Sequence, residues 1–306
     1  MDLALARRGP AWAALNRLGV EDEAAWRDVL GWLDTHVPEG PRREERITWL
    51  LAPAALWVRH HLSRSPRRPL VVGVSAPQGA GKTTLTGLLV QLLEDVLHAP
   101  ALAISIDDFY LPREAQLHLA AAHPGNPYLE HRGYPGTHDV ALGARVLESL
   151  RRGEDVDVPR YDKSAHGGRG DRSRNVTAVR GRRDVVFLEG WLLGFQPVAA
   201  VSEAHLAEPN ARLREYEAWH RQLDVLLALG MQEPTQVVQW RVEAEARMRA
   251  AGRAGLSDAE AEDYVRRFLP AYATWGPTVT RGRWQGDALL ALTLDGDRVP
   301  VETRHV

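Results

Sequence analysis

The stretch Val74-Ser75-Ala76-Pro77-Gln78-Gly79-Ala80-Gly81-Lys82-Thr83-Thr84 sits between an apolar run and a segment of helical spacing. Upstream, Pro69-Leu70-Val71-Val72-Gly73-Val74 has the β-branched character of a strand buried on both faces; downstream, Leu85, Leu88, Leu89, Leu92 and Leu93 recur as on one side of a helix. Strand, glycine-rich turn and helix in that order form a phosphate-binding loop. Gly79 and Gly81 let backbone N–H groups turn toward an anion, and Gln78, Ala80 and Thr84 complete the cradle beside the positive end of the helix. Lys82 is placed to reach β- and γ-phosphates and Thr83 to offer a hydroxyl to Mg²⁺. The pattern departs from its usual form at Ala76, where glycine is common. That residue is expected in ordinary extended backbone, as the following Pro77 also favours. The plainer alternative is a glycine-rich turn with a surface lysine.

Working outward, 306 residues suffice for one large α/β domain or two modest ones. A net charge of −2 with 25% charged residues gives no basic field for nucleic acid, so the partner expected is a small molecule. The chain has no cysteine, which excludes disulfides, thiolate metal sites and a cysteine nucleophile. Residues 1–10 make a poor signal peptide and no apolar run approaches a membrane span, so the cytoplasm is the compartment expected and no membrane partner is.

Residues 1–68 read as a helical extension, with Trp12, Trp26, Trp49 and Trp57 as core or docking side chains. Arg42, Arg43 and Arg46 are balanced by Glu39, Glu44 and Glu45. From residue 69 onward, strands alternate with helices. Ala101 to Ile106 ends in Asp107 and Asp108; Asp184 to Leu188 ends in Glu189; Asp224 to Met231 and Asp287 to Leu294 are further strands. Helices are expected at Val140 to Leu150, Arg212 to Gln222, Pro234 to Ala251 and Ser257 to Tyr272, the last capped by Ser257 with Glu260 three residues on. Alternation of this kind implies a parallel sheet covered on both faces.

In such a sheet the site lies at the carboxyl ends of the strands, where the phosphate loop, Asp107/Asp108 and Glu189 should converge. Adjacent strand residues face opposite ways, so Asp107 and Asp108 are expected to do different jobs. Taken singly, the two aspartates also fit a turn or cap, and Glu189 a strand-end ion pair. The stretch from Val158 to Arg172, with Arg160, Tyr161, Lys163 and Arg169, suits a small anion, or is a solvated charged loop. On the helix after Pro234, Arg249 and Arg253 share a face, Arg241 lies near it and Arg247 points elsewhere. This stripe is either a lid over phosphates or an exposed helix face.

With these residues assembled, the chain resembles the D-glycerate 3-kinase family, related to phosphoribulokinase, uridine kinase and pantothenate kinase. The carrying stretches are 75–84, 105–111, 132–139, 159–164, 168–172 and 188–195, continued at 216–220 and 240–249. The resemblance implies a P-loop kinase fold with a five-stranded parallel sheet over residues 69–306, a substrate loop at about 111–172 and a lid at about 241–256. It implies ATP and Mg²⁺, and phosphorylation of the 3-hydroxyl of D-glycerate. It makes Asp107 the base, with Lys82 and Glu189 beside it, and Thr83, Asp107 and Glu189 the metal contacts. Arg249 and Arg253 fall in the lid, and Asp139 on a position that holds acceptor hydroxyls. Substrate contacts are expected among Asp108, Tyr110, Arg132, His138, Arg160, Tyr161, Lys163, Arg169 and Trp191. Other acceptors of the same group, such as pantothenate, a nucleoside or a sugar phosphate, and a non-catalytic ATP-binding module are the rival readings.

Overall fold

The computed structural model describes residues 2–252, 255–282 and 284–306. Among the described residues, eight strands form two sheets: β1 (Leu70–Ser75), β2 (Ala101–Ser105), β3 (Val156–Asp162), β4 (Asp171–Val179), β5 (Val185–Gly190), β6 (Val225–Met231), β7 (Ala288–Leu294) and β8 (Pro300–His305). The main sheet runs β2-β5-β1-β6-β7-β8, while β3 and β4 pair separately. Strands β2, β5, β1, β6 and β7 are mutually parallel, as the sequence predicts, and every residue of β1 and β5 is buried. The sequence reading stops one strand short. After the turn at 295–297 the chain returns as β8, antiparallel to β7. Its residues Pro300-Val301-Glu302-Thr303-Arg304-His305 are largely polar, as an edge strand tolerates, and the apolar-run criterion passes over them.

A second difference lies at 158–172. Rather than a loose charged loop, it is the tip of an antiparallel ribbon, with Val156 opposite Val179 and Asp162 opposite Asp171. The principal helices are α1 (Glu23–His36), α2 (Ala52–Arg64), α3 (Lys82–Leu97), α4 (Arg113–Ala122), α5 (Val140–Arg152), α6 (Gln236–Ala250), α7 (Asp258–Arg266) and α8 (Leu269–Thr280). The capping box expected at Ser257 and Glu260 opens α7, and α7 folds back on α6. The segment read as one helix from Arg212 to Gln222 is instead a chain of short turns, and that read from Ser257 to Tyr272 breaks between α7 and α8.

The N-terminal segment packs into the same core as the sheet. Trp26 and Trp57 are wholly buried, α1 and α2 lie against α3, and Trp32 Nε1 donates to Asp95 Oδ2 on α3 at 3.0 Å. Asp224, just before β6, is a polar anchor in this interior. It accepts the Val71 N–H at 2.7 Å and pairs with Arg151 at 2.9 Å, tying β1, β6 and α5 together. Removing one partner of a buried pair leaves the other charge uncompensated. Asp224→Ala should therefore lower the unfolding free energy by about 3 kcal/mol in urea titrations; a change within experimental error would remove Asp224 from the core's polar scaffold.

Candidate active site

The phosphate loop has the backbone its residues require. Gly79 and Gly81 take φ of +76° and +90°, whereas Ala76 is not among the positive-φ residues, consistent with the expectation for that position. A Cβ at Gly79 would lie 2.6 Å from the Trp240 carbonyl carbon, so glycine is needed there for space as well as for φ. Gly81 is the N-cap of α3, which begins at Lys82 and aims its positive end across the loop. The Tyr272 hydroxyl accepts the Gln78 N–H at 3.1 Å and fixes the loop's outer edge.

Glu189, buried at the end of β5, accepts from the Thr83 hydroxyl at 2.9 Å and from the Thr86 hydroxyl at 3.2 Å. β5 lies between β1 and β2, with Glu189 in register with Val74 and Ser105, so the order of strands brings this carboxylate to the loop. Burial pushes the Lys82 ammonium down from its ordinary pKa, against the opposing fields of Asp107 and Glu189. After β2, a 3₁₀ turn over Ile106–Phe109 separates the two aspartates. Asp107 faces the loop and accepts from Lys163 Nζ at 2.6 Å; burial alone would raise its pKa, but Lys163 and Lys82 hold it below the usual carboxylate range. Asp108 turns inward, where it pairs with Arg160 at 2.9 Å and accepts the Tyr161 N–H at 3.1 Å. Burial raises its pKa, with the Arg160 charge working the other way.

The phosphate loop, Asp107, Lys163 and Glu189 line a pocket of about 330 Å³. Of the predicted residues, it brings together Gln78, Gly79, Gly81, Lys82, Thr83 and Thr84 with Asp107 and Glu189, and sets Tyr110, Arg132, Lys163 and Trp191 around them. The others sit elsewhere. Arg160 is tied to Asp108, and Asp139 caps α5 by accepting the Leu142 N–H at 3.0 Å, 3.5 Å from Arg172. His138 is buried behind Tyr110, stacked on its ring at 4.3 Å and bonded through Nδ1 to the Tyr216 hydroxyl at 2.6 Å. Tyr161 packs edge-on against Tyr110 and under the Arg132 guanidinium, and Arg169 is exposed on the ribbon tip. Ala80 faces a neighbouring cavity. Arg249 is drawn off by Asp258 at 2.6 Å, and Arg253 lies outside the described residues.

Arg241 and Arg247, not Arg249, line the pocket from α6, joined by Tyr264 of α7. Helical spacing gives relative angles along α6 but not its rotation about its axis, which is set by Trp240 packing against Gly79. Buried Glu245 sets the shape of this helical hairpin by pairing with Arg241 and accepting the Leu256 N–H. Arg132, whose guanidinium donates to the carbonyls of Gly168, Arg169 and Lys163, holds the ribbon tip over the pocket.

A phosphate loop at the end of a central parallel strand, a carboxylate on its threonine and a helical hairpin bringing arginines to the same pocket define the class: a P-loop kinase. Comparisons with known proteins agree. The chain is 42% identical over 247 residues to the chloroplastic D-glycerate 3-kinase of Arabidopsis thaliana, a match covering 76% of this chain and 54% of that longer protein, about half its length. It is 34% identical over 261 residues to the kinase mug58 of Schizosaccharomyces pombe, covering 78% of this chain and 94% of that one. The solved structure of D-glycerate 3-kinase from Cryptococcus neoformans superposes with a TM-score of 0.76 at 31% identity, over 84% of this chain and 99% of that one. No family model matches. The chain belongs to the D-glycerate 3-kinase family. Among the described residues, no helix is long and apolar enough to cross a membrane.

Two buried imidazoles give the site's surroundings a pH dependence. Burial pushes His138 down to about 3, against the pull of Asp107, and His220 down to about 4; His220 Nε2 also accepts the Gly194 N–H at 2.9 Å. Both are neutral in the fold and charge near pH 6.5 once unfolded, so their contribution is complete above that pH and lost as pH falls toward 4. Stability should therefore drop by roughly 2 kcal/mol or more between pH 7.5 and 5, read as a falling urea midpoint. A midpoint constant over that range would show that these rings are not held neutral.

Proposed function

We propose that the protein transfers the γ-phosphoryl group of Mg²⁺-ATP to the 3-hydroxyl of D-glycerate, giving 3-phosphoglycerate. The observation that carries this reading is the pairing of Asp107 with Lys163 across one small pocket from Lys82 and the phosphate loop. A carboxylate and an ammonium side by side match the two ends of a short hydroxy acid, and the donor phosphates have their own cradle opposite. The names of the relatives support the same acceptor.

The donor set at the loop fits Mg²⁺. That ion takes hard oxygen ligands, keeps several waters and binds through one or two protein oxygens plus phosphates. The Thr83 hydroxyl and the Glu189 carboxylate, already in contact, are two such donors. No cluster of three or more metal-ligating His, Cys, Asp or Glu side chains occurs among the described residues. Thr83 and Glu189 would hold the ion, while Asp107 is engaged by Lys163. When bound, Mg²⁺ supplies charge neutralisation on the phosphate oxygens.

Phosphoryl transfer of this kind is loose in its transition state and asks mainly for alignment and charge stabilisation. Asp107, ionised at neutral pH, accepts a hydrogen bond from the acceptor hydroxyl, points its oxygen toward the γ-phosphorus and takes its proton as the bond forms. Lys82, Arg241 and Arg247 bear on the charge of the transferred group. Of Arg160, Lys163 and Arg169, the cations expected to suit a small anion, Arg160, paired with Asp108, and Arg169 both lie off the pocket, which leaves Lys163, with Arg132 beside it, for the substrate carboxylate. The proposed compartment is the cytoplasm and the proposed partner a small hydroxy acid.

ADP release from Mg²⁺-ATP should depend on D-glycerate and not on L-glycerate, pantothenate or uridine. Asp107→Asn should cut kcat by ~10²-fold or more with ATP affinity retained, as expected for loss of a general base. Lys163→Ala should raise the glycerate KM by about ten-fold, the worth of one charge-assisted hydrogen bond, while Arg160→Ala leaves it nearly unchanged. Stimulation by a different acceptor alone would overturn the substrate, and near-normal turnover in Asp107→Asn would remove that residue from the chemistry.

A further inference from the structure

A second cavity, of about 640 Å³, opens on the other side of the phosphate loop and shares Gly79, Gly81, Thr84 and Arg247 with the first. One wall belongs to the segment before α2: Val37, Pro38, Pro41, Arg46, Leu50 and Leu51. Facing it are Leu85 and Leu88 of α3 and Leu229 of β6, with Arg247 and Arg298 at the lid end. Three bonds link this wall to the site through the β7–β8 turn. Arg42 pairs with Asp295 in the β7–β8 turn at 2.6 Å, and Arg298 of that turn donates to the Gly79 carbonyl at 2.9 Å and to Glu243 of the lid at 2.7 Å.

The charges here do not balance as the sequence suggests. Arg42 has Asp295 and Glu45, and Arg43 has Asp34 and Glu39, but the Arg46 side chain has no hydrogen-bond or ion-pair partner among the described residues, and its Nε is buried. The charges that bear on it are the like charges of Arg298 and Arg247, which act with burial to push its pKa down. A half-buried cation among cations is costly without a ligand. An apolar slot of this size, open to the phosphate loop at one end and carrying one unpaired planar guanidinium, suits a purine nucleoside, since arginine stacks on aromatic faces and bonds to ring and ribose acceptors.

We propose that residues 37–51 form one wall of the nucleoside half of the ATP site, and that Arg46 is a nucleotide-binding residue contacting the base or ribose. This rests on the ATP-dependent reading above and extends it to a segment that the sequence sets apart from the kinase core. The test is calorimetric titration of the wild-type protein and of Arg46→Met with Mg²⁺-ATP and, separately, with Mg²⁺-tripolyphosphate, which has the phosphates and no nucleoside. The variant should bind ATP roughly ten-fold more weakly, bind tripolyphosphate as the wild type does, and melt at or above the wild-type temperature without ligand, because no side-chain partner is lost and an uncompensated cation is removed. Equal ATP affinity in the two proteins would overturn the proposal, and so would an equal loss toward both ligands, which would make Arg46 a phosphate contact. If the wild type binds neither ligand, the nucleotide reading itself falls.

Discussion

Lys82 is an ammonium at the mouth of a parallel sheet, where burial pushes its pKa down and the charges of Asp107 and Glu189 push it back up. A buried cation demands opposite charge, and here both carboxylates arrive from strand ends. The strand order puts β5 beside β1 and β2 beside β5, so the phosphate loop, Glu189 and Asp107 come in succession along one edge of the sheet. Asp107 in turn recruits Lys163, and with it the β3–β4 ribbon; Glu189 recruits Thr83 and Thr86 on α3. The site is thus a chain of charge compensation that starts at the loop lysine.

That chain also explains which parts were legible in the sequence. The loop, its strand and its helix are contiguous, so spacing alone identifies them, and buried parallel strands announce themselves as apolar runs ending in a carboxylate. The partners of charged side chains are not local. Arg160 and Lys163 stand three residues apart on one segment, yet the first closes on Asp108 and the second on Asp107, because the 3₁₀ turn after β2 sends the two aspartates in different directions. Asp139, which the resemblance places among contacts to acceptor hydroxyls, is in the fold the cap of α5, a role set by the backbone around it. Arg249 goes to Asp258 for a similar reason: α7 folds back along α6 and supplies a carboxylate that no spacing rule anticipates.

The N-terminal segment illustrates the same limit on a larger scale. Its tryptophans and leucines are recognisable as core formers, and the structure buries Trp26 and Trp57 completely. What the pattern does not show is that Arg42 would be drawn across to Asp295, leaving Arg46 over the cavity beside the phosphate loop. Charge balance counted along the chain is a poor guide to charge balance in space, since an arginine side chain reaches residues hundreds of positions away. The segment therefore belongs to the energetics of the whole molecule: α1 and α2 brace α3, and α3 carries the loop's lysine and threonine.

In the proposed reaction Asp107 and Lys163 bring the terminal hydroxyl of D-glycerate, and not the neighbouring one, before the γ-phosphorus, so the position of the transferred phosphoryl group is the decisive observable. Proton-coupled ³¹P NMR of the product from Mg²⁺-ATP and D-glycerate reads this directly. A phosphomonoester signal split by two methylene protons, as in 3-phosphoglycerate, is the predicted result. A signal coupled to a single methine proton, or inorganic phosphate as the sole new species, would contradict the arrangement derived for the site.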